Sequence, residues 1–308
     1  MRITGILLGI VLAIVPTAQA ETYKLTVAFS VGNQIDLVAR AIQASVERNT
    51  TDKIIIENVP GAETVMGVMY FKTKKSDALM ASSNQTIFNP VLKNDLPYTD
   101  ADLEHVIYIG ATPGLWITRP DTDIKTPRDL LGNIPDQVGG YVSVYNMNVY
   151  ALNREKNKNL MIIPYKNTNE ILVDLVNKSI DLAIVGPNNT LFQLVKAGKL
   201  HIIGSTYHKN VTVNDIYIAS TRSLGVSTFN GMVAIDIQPM MEAERAKKLK
   251  KLLWDAVNDP VTQEEFKNLN IILDLSNDSV YINNFYANYK SKVREYMLKN
   301  KMQEYIKQ

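Results

Sequence analysis

The sequence contains no cysteine and only three histidines. The absence of cysteine excludes disulfides, thiol nucleophiles and thiolate metal sites. The histidines, His105, His201 and His208, are far apart and show no metal-ligand spacing, so we expect neither a metal nor an organic cofactor. The chain also lacks a G-x-S-x-G turn and an HExxH motif, and no histidine accompanies a plausible nucleophilic serine. These absences favour binding over catalysis and predict that the protein is not an enzyme.

Charge of one sign is also scarce, because 33 Lys and Arg residues face 31 Asp and Glu residues, for a formal net charge of +2. This balance argues against a nucleic-acid partner. The basic residues are scattered, except for a lysine cluster at residues 247–251 that is followed by apolar helical positions and has the pattern of a solvated helix.

Long hydrophobic runs are absent after the first twenty residues. The segment Met1 to Ala20 carries a cation near its start, an apolar run and an A-x-A ending, which together predict a cleaved signal peptide and a periplasmic location. The alternative is a retained membrane anchor, but the apolar run is shorter than the roughly 20 residues that a spanning helix needs.

The segment Ile163 to Ser205 reads as strand, loop, helix, strand, loop, helix, strand. This order predicts a βαβαβ unit. Both strand-to-helix turns are polar and rich in asparagine. In open α/β sheets such turns lie at the carboxyl edge of the parallel strands, where small molecules bind.

The remaining chain repeats the plan of strand, polar turn and helix. Strands are predicted at Tyr23 to Phe29, Lys53 to Asn58 and Ala78 to Ser82, and a helix at Ile35 to Val46. The region Asn210 to Ser223 is predicted to be a loop. The chain from Pro239 onward is predicted to be helical, with a last helix from about Val280.

Two β-rich stretches, Val106 to Thr118 and Thr228 to Ile237, are interpreted as strands that cross between two domains. The predicted organisation is a signal peptide (1–20), a discontinuous domain 1 (21–118 plus 229–308) and a domain 2 (119–228). The predicted hinge lies near residues 115–122 and 222–234.

Eight short pieces in order resemble the Bug-type solute receptors of tripartite tricarboxylate transporters. The similarity runs from about Val27 to Leu273. The pieces are Asp36 to Ala41, Glu57 to Ala62, Asn89-Pro90, Leu96 to Tyr98, Pro164 to Lys166, Asp174-Leu175, Ile180-Asp181 and Lys196 to Leu200.

The resemblance implies a type II periplasmic binding protein fold, in which two Rossmann-like α/β domains joined by two crossing strands close over a small ligand. In this family the ligand is usually a small carboxylate held by backbone amides, hydroxyls and waters. The implied partners are therefore a small organic anion and membrane transporter subunits, with the receptor acting as a monomer. A sensor protein in place of the transporter is an alternative that the sequence leaves open.

Five loops correspond to the ligand loops of the family and give the candidate binding residues. In chain order these residues are Ser30, Gly32, Asn33, Gln34 and Asp36, then Ser83, Asn84, Gln85 and Thr86, then Gly139, Gly140, Tyr141 and Ser143, then Tyr165, Lys166, Asn167 and Thr168, and finally Gly186, Asn188 and Asn189.

Some of these loops depart from the family pattern. The usual Pro-Gly-Gly-Gly-Thr-Asp turn is replaced by Ser30 to Asp36, and Tyr141 stands where a small or hydroxylated residue is usual. Structural roles compete with ligand binding at several positions. Asp36 suits the first turn of a helix, Tyr165 suits packing, Asn188 and Asn189 suit helix capping, and Arg40 and Arg119 suit surface ion pairs.

Overall fold

The computed structural model describes residues 20–74, 78–83, 85–86, 89, 96–141 and 143–299. The predicted signal peptide lies outside the described residues except for Ala20. The strands are β1 (Thr22–Val27), β2 (Lys53–Asn58), β3 (Ala78–Ser83), β4 (Glu104–Thr112), β5 (Leu115–Thr118), β6 (Gln137–Gly140), β7 (Met161–Pro164), β8 (Leu182–Val185), β9 (His201–Ser205), β10 (Val211–Val213), β11 (Ile216–Ile218), β12 (Gly231–Ile237) and β13 (Ile272–Ser276). The α-helices are α1 (Gln34–Asn49), α2 (Val65–Thr73), α3 (Ser143–Lys156), α4 (Thr168–Val176), α5 (Asn189–Lys196), α6 (Ala243–Asn258), α7 (Pro260–Asn268) and α8 (Ser279–Lys299).

The first sheet has the strand order β13-β4-β12-β3-β1-β2. Strands β1, β2 and β3 are parallel, and β12 is antiparallel to both β3 and β4. Strand β4 therefore runs in the same direction as β1 to β3. The apolar spacing that predicted α1 places Val38 and Ile42 in one buried cluster with Leu253 of α6 and Phe266 of α7. This packing fixes the amino end of α1 at the carboxyl edge of the sheet.

The second sheet has the strand order β7-β6-β8-β5-β9. The predicted βαβαβ unit is confirmed as β7, α4, β8, α5 and β9. Its strands are not neighbours, because β6 pairs in parallel with both β7 and β8, and β5 lies antiparallel between β8 and β9. In each sheet one antiparallel strand lies between parallel strands, β12 in the first sheet and β5 in the second. The first sheet has a second antiparallel strand, β13, at its edge.

The chain crosses between the sheets at two places. The first crossing lies at Pro113 and Gly114, between β4 of the first sheet and β5 of the second. The sequence interpretation placed Leu115 to Thr118 in domain 1, whereas the structure pairs this strand with β8 and β9 of the second sheet. The second crossing precedes Gly231, where β12 begins. Closure of the domains about these crossings stays a prediction.

Two sequence predictions of local structure are wrong. Strand β13 interrupts the C-terminal region that was predicted to be helical, because it pairs with β4 at the edge of the first sheet. The predicted loop at Asn210 to Ser223 contains the hairpin β10–β11. Its two turn residues, Asn214 and Asp215, have φ values of 52° and 64°, which match the turn that favours Asn and Asp in two-residue hairpins.

Helix α8 begins one residue before the predicted Val280 and packs along both domains. Its Tyr286 and Val293 are buried, and the ring of Tyr296 lies 5.1 Å from that of Phe229. The hydroxyl of Tyr289 accepts a hydrogen bond from the backbone N–H of Asn230 and lies 3.0 Å from its carbonyl oxygen. The helix therefore anchors the second crossing.

Candidate functional site

A cleft of about 640 Å³ lies between the two domains, at the carboxyl ends of their strands. Its walls come from segments that follow strands of the first sheet (β1 to β4) and of the second sheet (β6, β7 and β8). This is the edge at which α/β sheets bind small molecules. The lining residues are Ala28, Phe29, Ser30, Asn33, Gln34, Ile35, Pro60, Gly61, Thr64, Ser83, Gln85, Thr112, Tyr141, Tyr145, Thr168, Gly186, Pro187, Asn188 and Met232.

The amino ends of four helices contribute to this lining. Asn33 caps α1 by accepting a hydrogen bond from a backbone N–H at 3.0 Å, and Asn188 caps α5 in the same way at 2.8 Å. Thr168 is the first residue of α4, and Tyr141 precedes α3 by two positions. Helix amino ends carry free N–H groups and a partial positive charge, so together they form an environment that favours an anion.

None of the described lining residues is charged. The polar groups of the cleft are hydroxyls, amides and backbone groups, which bind a carboxylate through neutral hydrogen bonds. The hydroxyls of Ser30 and Ser83 also have no histidine, lysine or carboxylate beside them in the described lining. Within the described part of the chain, no group of three or more His, Cys, Asp and Glu residues could hold a metal ion. The described lining thus offers neutral hydrogen-bonding groups and contains no pair of charged side chains.

The structure brings nine of the predicted binding residues together in this lining. They are Ser30, Asn33, Gln34, Ser83, Gln85, Tyr141, Thr168, Gly186 and Asn188. Asn84 lies outside the described residues, and Ser143 begins α3 but its side chain is not described. The other predicted residues are not part of the described lining. They are Gly32, Asp36, Thr86, Gly139, Gly140, Tyr165, Lys166, Asn167 and Asn189.

Asp36 organises the first loop. Its carboxylate is fully buried and accepts hydrogen bonds from the Gly32 N–H at 2.8 Å, the Arg40 guanidinium at 2.9 Å and the Asn58 amide at 2.9 Å. Burial opposes ionisation, but these donors outweigh it, so the pKa of Asp36 lies below its ordinary value. The carboxylate holds Gly32 in a left-handed turn with a φ of 82°. These contacts favour a structural role over direct ligand binding.

The loop after β7 is likewise engaged in local contacts. The Tyr165 hydroxyl donates to Asp174 Oδ2 at 2.7 Å. Burial is the main cause and this hydrogen bond the second cause that raise the pKa of Tyr165 to about 12. Asn167 caps α4 by accepting from the Glu170 N–H at 3.0 Å, and Lys166 is exposed. Of this loop, only Thr168 contributes to the described lining.

The remaining predicted residues outside the lining have packing reasons for their types. A Cβ on Gly139 would lie 2.6 Å from Ile180 Cδ1, and one on Gly140 would lie 2.2 Å from Asn146 Oδ1. Thr86 is buried, and its carbonyl accepts from the Tyr98 hydroxyl at 3.0 Å.

Sequence reasoning missed the cleft loop after β2. Pro60, Gly61 and Thr64 line the cleft, although none of them is among the predicted binding residues. Thr64 has a φ of 78° and is 2% exposed, and its hydroxyl accepts from the Asn89 amide at 3.4 Å. A β-branched residue with positive φ is strained, and such strain concentrates at functional sites. No local pattern in the sequence could have revealed this backbone conformation.

Tyr145 is a second cleft residue that the sequence did not indicate. It belongs to α3 of the second domain, and its hydroxyl donates to the carbonyl oxygen of Thr112 at 3.1 Å, at the end of β4 in the first domain. Burial raises the pKa of Tyr145 to about 12, so the phenol stays protonated and able to donate. The side chain therefore links the two domains at the cleft floor.

Arg40 and Arg119 both form ion pairs away from the described cleft lining. Arg40 pairs with Asp36 at 2.9 Å. Arg119 pairs with Asp121 at 2.8 Å and with Asp181 at 2.6 Å.

Among the helices that the structure describes, none is long and apolar enough to cross a membrane.

Comparison with known proteins identifies a family whose sequence profile covers most of this chain. Residues 38–297 match the sequence profile of the family described as "Tripartite tricarboxylate transporter family receptor". A similar curated protein, a UPF0065 protein of Bordetella pertussis, is 24% identical over 214 residues, which are 64% of this chain and 65% of that protein. The alignment thus spans slightly less than two thirds of that relative.

Two solved structures share the fold. The structure of Rpa4515 of Rhodopseudomonas palustris with adipate superimposes with a TM-score of 0.75 at 15% identity, covering 92% of this chain and 98% of that one. The structure of MatC from the same organism with bound malate gives a TM-score of 0.73 at 17% identity, covering 89% and 98%. The two-sheet α/β architecture is therefore that of periplasmic solute-binding proteins, and because the profile match spans most of the sequence, this chain belongs to the tripartite tricarboxylate transporter receptor family.

Proposed function

We propose that this protein is a periplasmic receptor that captures a small carboxylate in the interdomain cleft and delivers it to the membrane subunits of a tripartite transporter. The observation that carries the proposal is the convergence of four helix amino ends on a described lining that contains no charged side chain. An anion gains favourable interactions there, and it meets no competing carboxylate. Relatives of the same fold hold malate and adipate, which supports a dicarboxylic acid as the ligand class.

Capture follows from the two-sided construction of the cleft. Asn33 and Gln34 belong to the first domain, whereas Thr168, Gly186 and Asn188 belong to the second. A ligand that touches both walls binds the closed arrangement better than an open one, so it shifts the population toward closure by that difference in affinity. The closed receptor is the form that we expect the transporter subunits to recognise.

The first test is a ligand screen on the mature protein by thermal shift and calorimetry, using malate, adipate and citrate together with their neutral amides. A carboxylate present at about 100 times its Kd stabilises the folded state by ~2.7 kcal/mol, which raises the melting temperature measurably. We expect a shift with at least one carboxylate and none with the matched amide. Stabilisation by neutral or cationic solutes alone would contradict the assignment.

The second test separates charge from structure at the cap of α5. Aspartate and serine both cap helices about as well as asparagine, so Asn188→Asp and Asn188→Ser both preserve the bond to the Leu191 N–H. Only the aspartate places a negative charge in the cleft, where repulsion of a bound carboxylate amounts to about 4 kcal/mol at 4 Å. We expect Asn188→Asp to weaken carboxylate binding at least about 100-fold and Asn188→Ser to weaken it less than about tenfold. Similar carboxylate affinities for the two variants would contradict the proposal.

A further inference from the structure

A second cavity, of about 480 Å³, lies along α8 and borders the second crossing between the sheets. We call it the α8 pocket. The first domain contributes Tyr108, Asp274 and Phe285, and the second domain contributes Tyr207 and Arg222. Its volume lies within the usual range for small-molecule sites. Met232 lines both cavities, so the α8 pocket adjoins the cleft. The other lining residues of the α8 pocket differ in character from those of the cleft.

Aromatic rings form the middle of the α8 pocket. The ring of Tyr108 lies 4.8 Å from that of Phe285, and the ring of Phe285 stacks at 6.3 Å with that of Tyr289. Tyr207, which is 7% exposed, contributes a further ring from the second domain. Such a lining favours an apolar or aromatic group at the centre of a ligand.

The two ends of the α8 pocket carry opposite charge. Asp274, on β13, lies beside the first turn of α8, where its carboxylate accepts from the Tyr281 hydroxyl at 3.3 Å. Lys292 lies eleven residues beyond Tyr281 along the helix, at a distance of about 16 Å for a rise of 1.5 Å per residue. Arg222 and Lys292 both line this pocket, and burial together with the charge of Arg222 lowers the pKa of Lys292.

The positive end keeps free hydrogen-bonding capacity. Lys292 Nζ donates to the Thr228 carbonyl at 3.0 Å, which leaves donors available, and the Arg222 guanidinium forms no hydrogen bond or ion pair with another described residue. Glu155 also borders this end, but its carboxylate accepts from the Ser227 N–H at 2.8 Å. The end therefore retains two cations against one anion.

We propose that the α8 pocket binds a short peptide with free termini and a central aromatic residue. Its C-terminal carboxylate meets Arg222 and Lys292, its ammonium group meets Asp274, and its aromatic side chain packs among the rings. An extended tripeptide spans at most about 10 Å, which fits between side chains that reach inward from positions about 16 Å apart along α8. This site is distinct from the carboxylate cleft and does not depend on its ligand.

The test measures binding of Gly-Phe-Gly, N-acetyl-Gly-Phe-Gly and Gly-Phe-Gly-amide to the mature protein by calorimetry or saturation-transfer NMR. We expect each blocked peptide to bind at least about fivefold more weakly than the free peptide. Asp274→Asn removes the preference over the acetylated peptide, and Arg222→Gln reduces the preference over the amide. Both residues are exposed, so neither change threatens the fold. The matched control is Asp215→Asn on the β10–β11 turn, whose φ of 64° asparagine tolerates.

Equal binding of the three peptides, or unchanged preferences in both variants, would refute the proposal. The variant Asn188→Asp distinguishes this site from the cleft, because it is expected to weaken carboxylate binding at least about 100-fold and to leave peptide binding intact. Loss of peptide binding in Asn188→Asp would place the peptide in the cleft and overturn the assignment to the α8 pocket. A failure of carboxylates to bind would contradict the proposed function of the cleft and would leave the α8 pocket proposal standing.

Discussion

The side-chain amide of Asn270 donates a hydrogen bond to Asn189 Oδ1 at 3.0 Å, and this bond joins the two domains beside the cleft. Asn270 follows α7 in the first domain, has a φ of 62° and is 3% exposed. The residue before it, Leu269, accepts from the Gln34 amide at 2.7 Å. Because Gln34 belongs to α1 and Asn189 to α5, this chain of amides connects two helix amino ends that face each other across the cleft.

The first prediction concerns this bridge. Asn189→Ala removes the Oδ1 acceptor, so the buried side-chain amide of Asn270 loses this hydrogen bond. A net hydrogen bond contributes about 1 kcal/mol, so we expect the Kd for the cleft carboxylate to rise about fivefold, mainly through faster dissociation, because we expect this bond to hold the two domains together around the ligand. Stopped-flow fluorescence and calorimetry measure both quantities. Asn177→Ala, an exposed position after α4, is the control.

A double-mutant cycle sharpens this test. Asn270→Gly removes the donor while glycine accepts the left-handed backbone. If the bridge acts as a unit, adding Asn189→Ala to Asn270→Gly changes the Kd little. Full additivity of the two effects would show that the residues act separately.

The second prediction concerns the stability of the first loop. Asp36→Asn keeps the shape of a fully buried side chain but replaces an ionised acceptor of four hydrogen bonds with an amide. We expect the free energy of unfolding to fall by about 2 kcal/mol. Urea denaturation measures this change. Glu47→Gln, an exposed position on the same helix, serves as the comparison and should stay within about 0.5 kcal/mol of wild type.

The third prediction concerns how the difference in the free energy of unfolding between wild type and Asp36→Asn depends on pH. The folded-state pKa of Asp36 lies below its ordinary value of 3.8, so the unfolded state binds the proton more readily. The stabilisation by the ionised carboxylate is then fully present above the ordinary pKa and is lost as the pH falls through the lower, folded-state value. The gap between wild type and Asp36→Asn should be constant from about pH 5 to 8 and narrow below about pH 4. A gap that widens in acid would disprove this account.

The fourth prediction concerns the floor of the cleft. A Cβ on Gly186 would lie 2.9 Å from the hydroxyl oxygen of Tyr145. Gly186→Ala must therefore displace the tyrosine from its bond with Thr112, and such overpacking costs typically about 1 to 3 kcal/mol. We expect the Kd for the cleft ligand to rise about tenfold. An unchanged Kd in a folded variant would mean that Tyr145 has no influence on the cleft.

The local elements were largely predictable because their signals are local. Strand β2 has the predicted bounds of Lys53 and Asn58, and the segment Ile163 to Ser205 forms its three strands and two helices. Apolar periodicity and turn residues encode such elements within a dozen positions. The sequence V-T-V-N-D-I-Y-I also carried the signal of a hairpin, since Asn214 and Asp215 stand between two alternating strands, and this signal was overlooked.

The arrangement of the cleft was less predictable because distant segments build it. Nothing near Thr64 indicates its positive φ, and nothing near Tyr145 indicates its bond to Thr112. Strand β13 likewise exists through pairing with β4, more than 150 positions earlier. Each of the five loops that the family resemblance indicated contributes at least one residue to the described lining, but the neighbours of each side chain decide whether it faces the cleft, as the contacts of Asp36 and Tyr165 illustrate.

Met232 lies in the wall of the cleft and in the wall of the α8 pocket. It is 2% exposed and stands on the strand that crosses back from the second domain. A bulkier or smaller side chain at this position changes the shape of both compartments at once. Redesign of the ligand preference of this receptor through Met232 would therefore also alter the α8 pocket, whereas Asn188 lines only the cleft and Arg222 lines only the α8 pocket, so each can be changed separately.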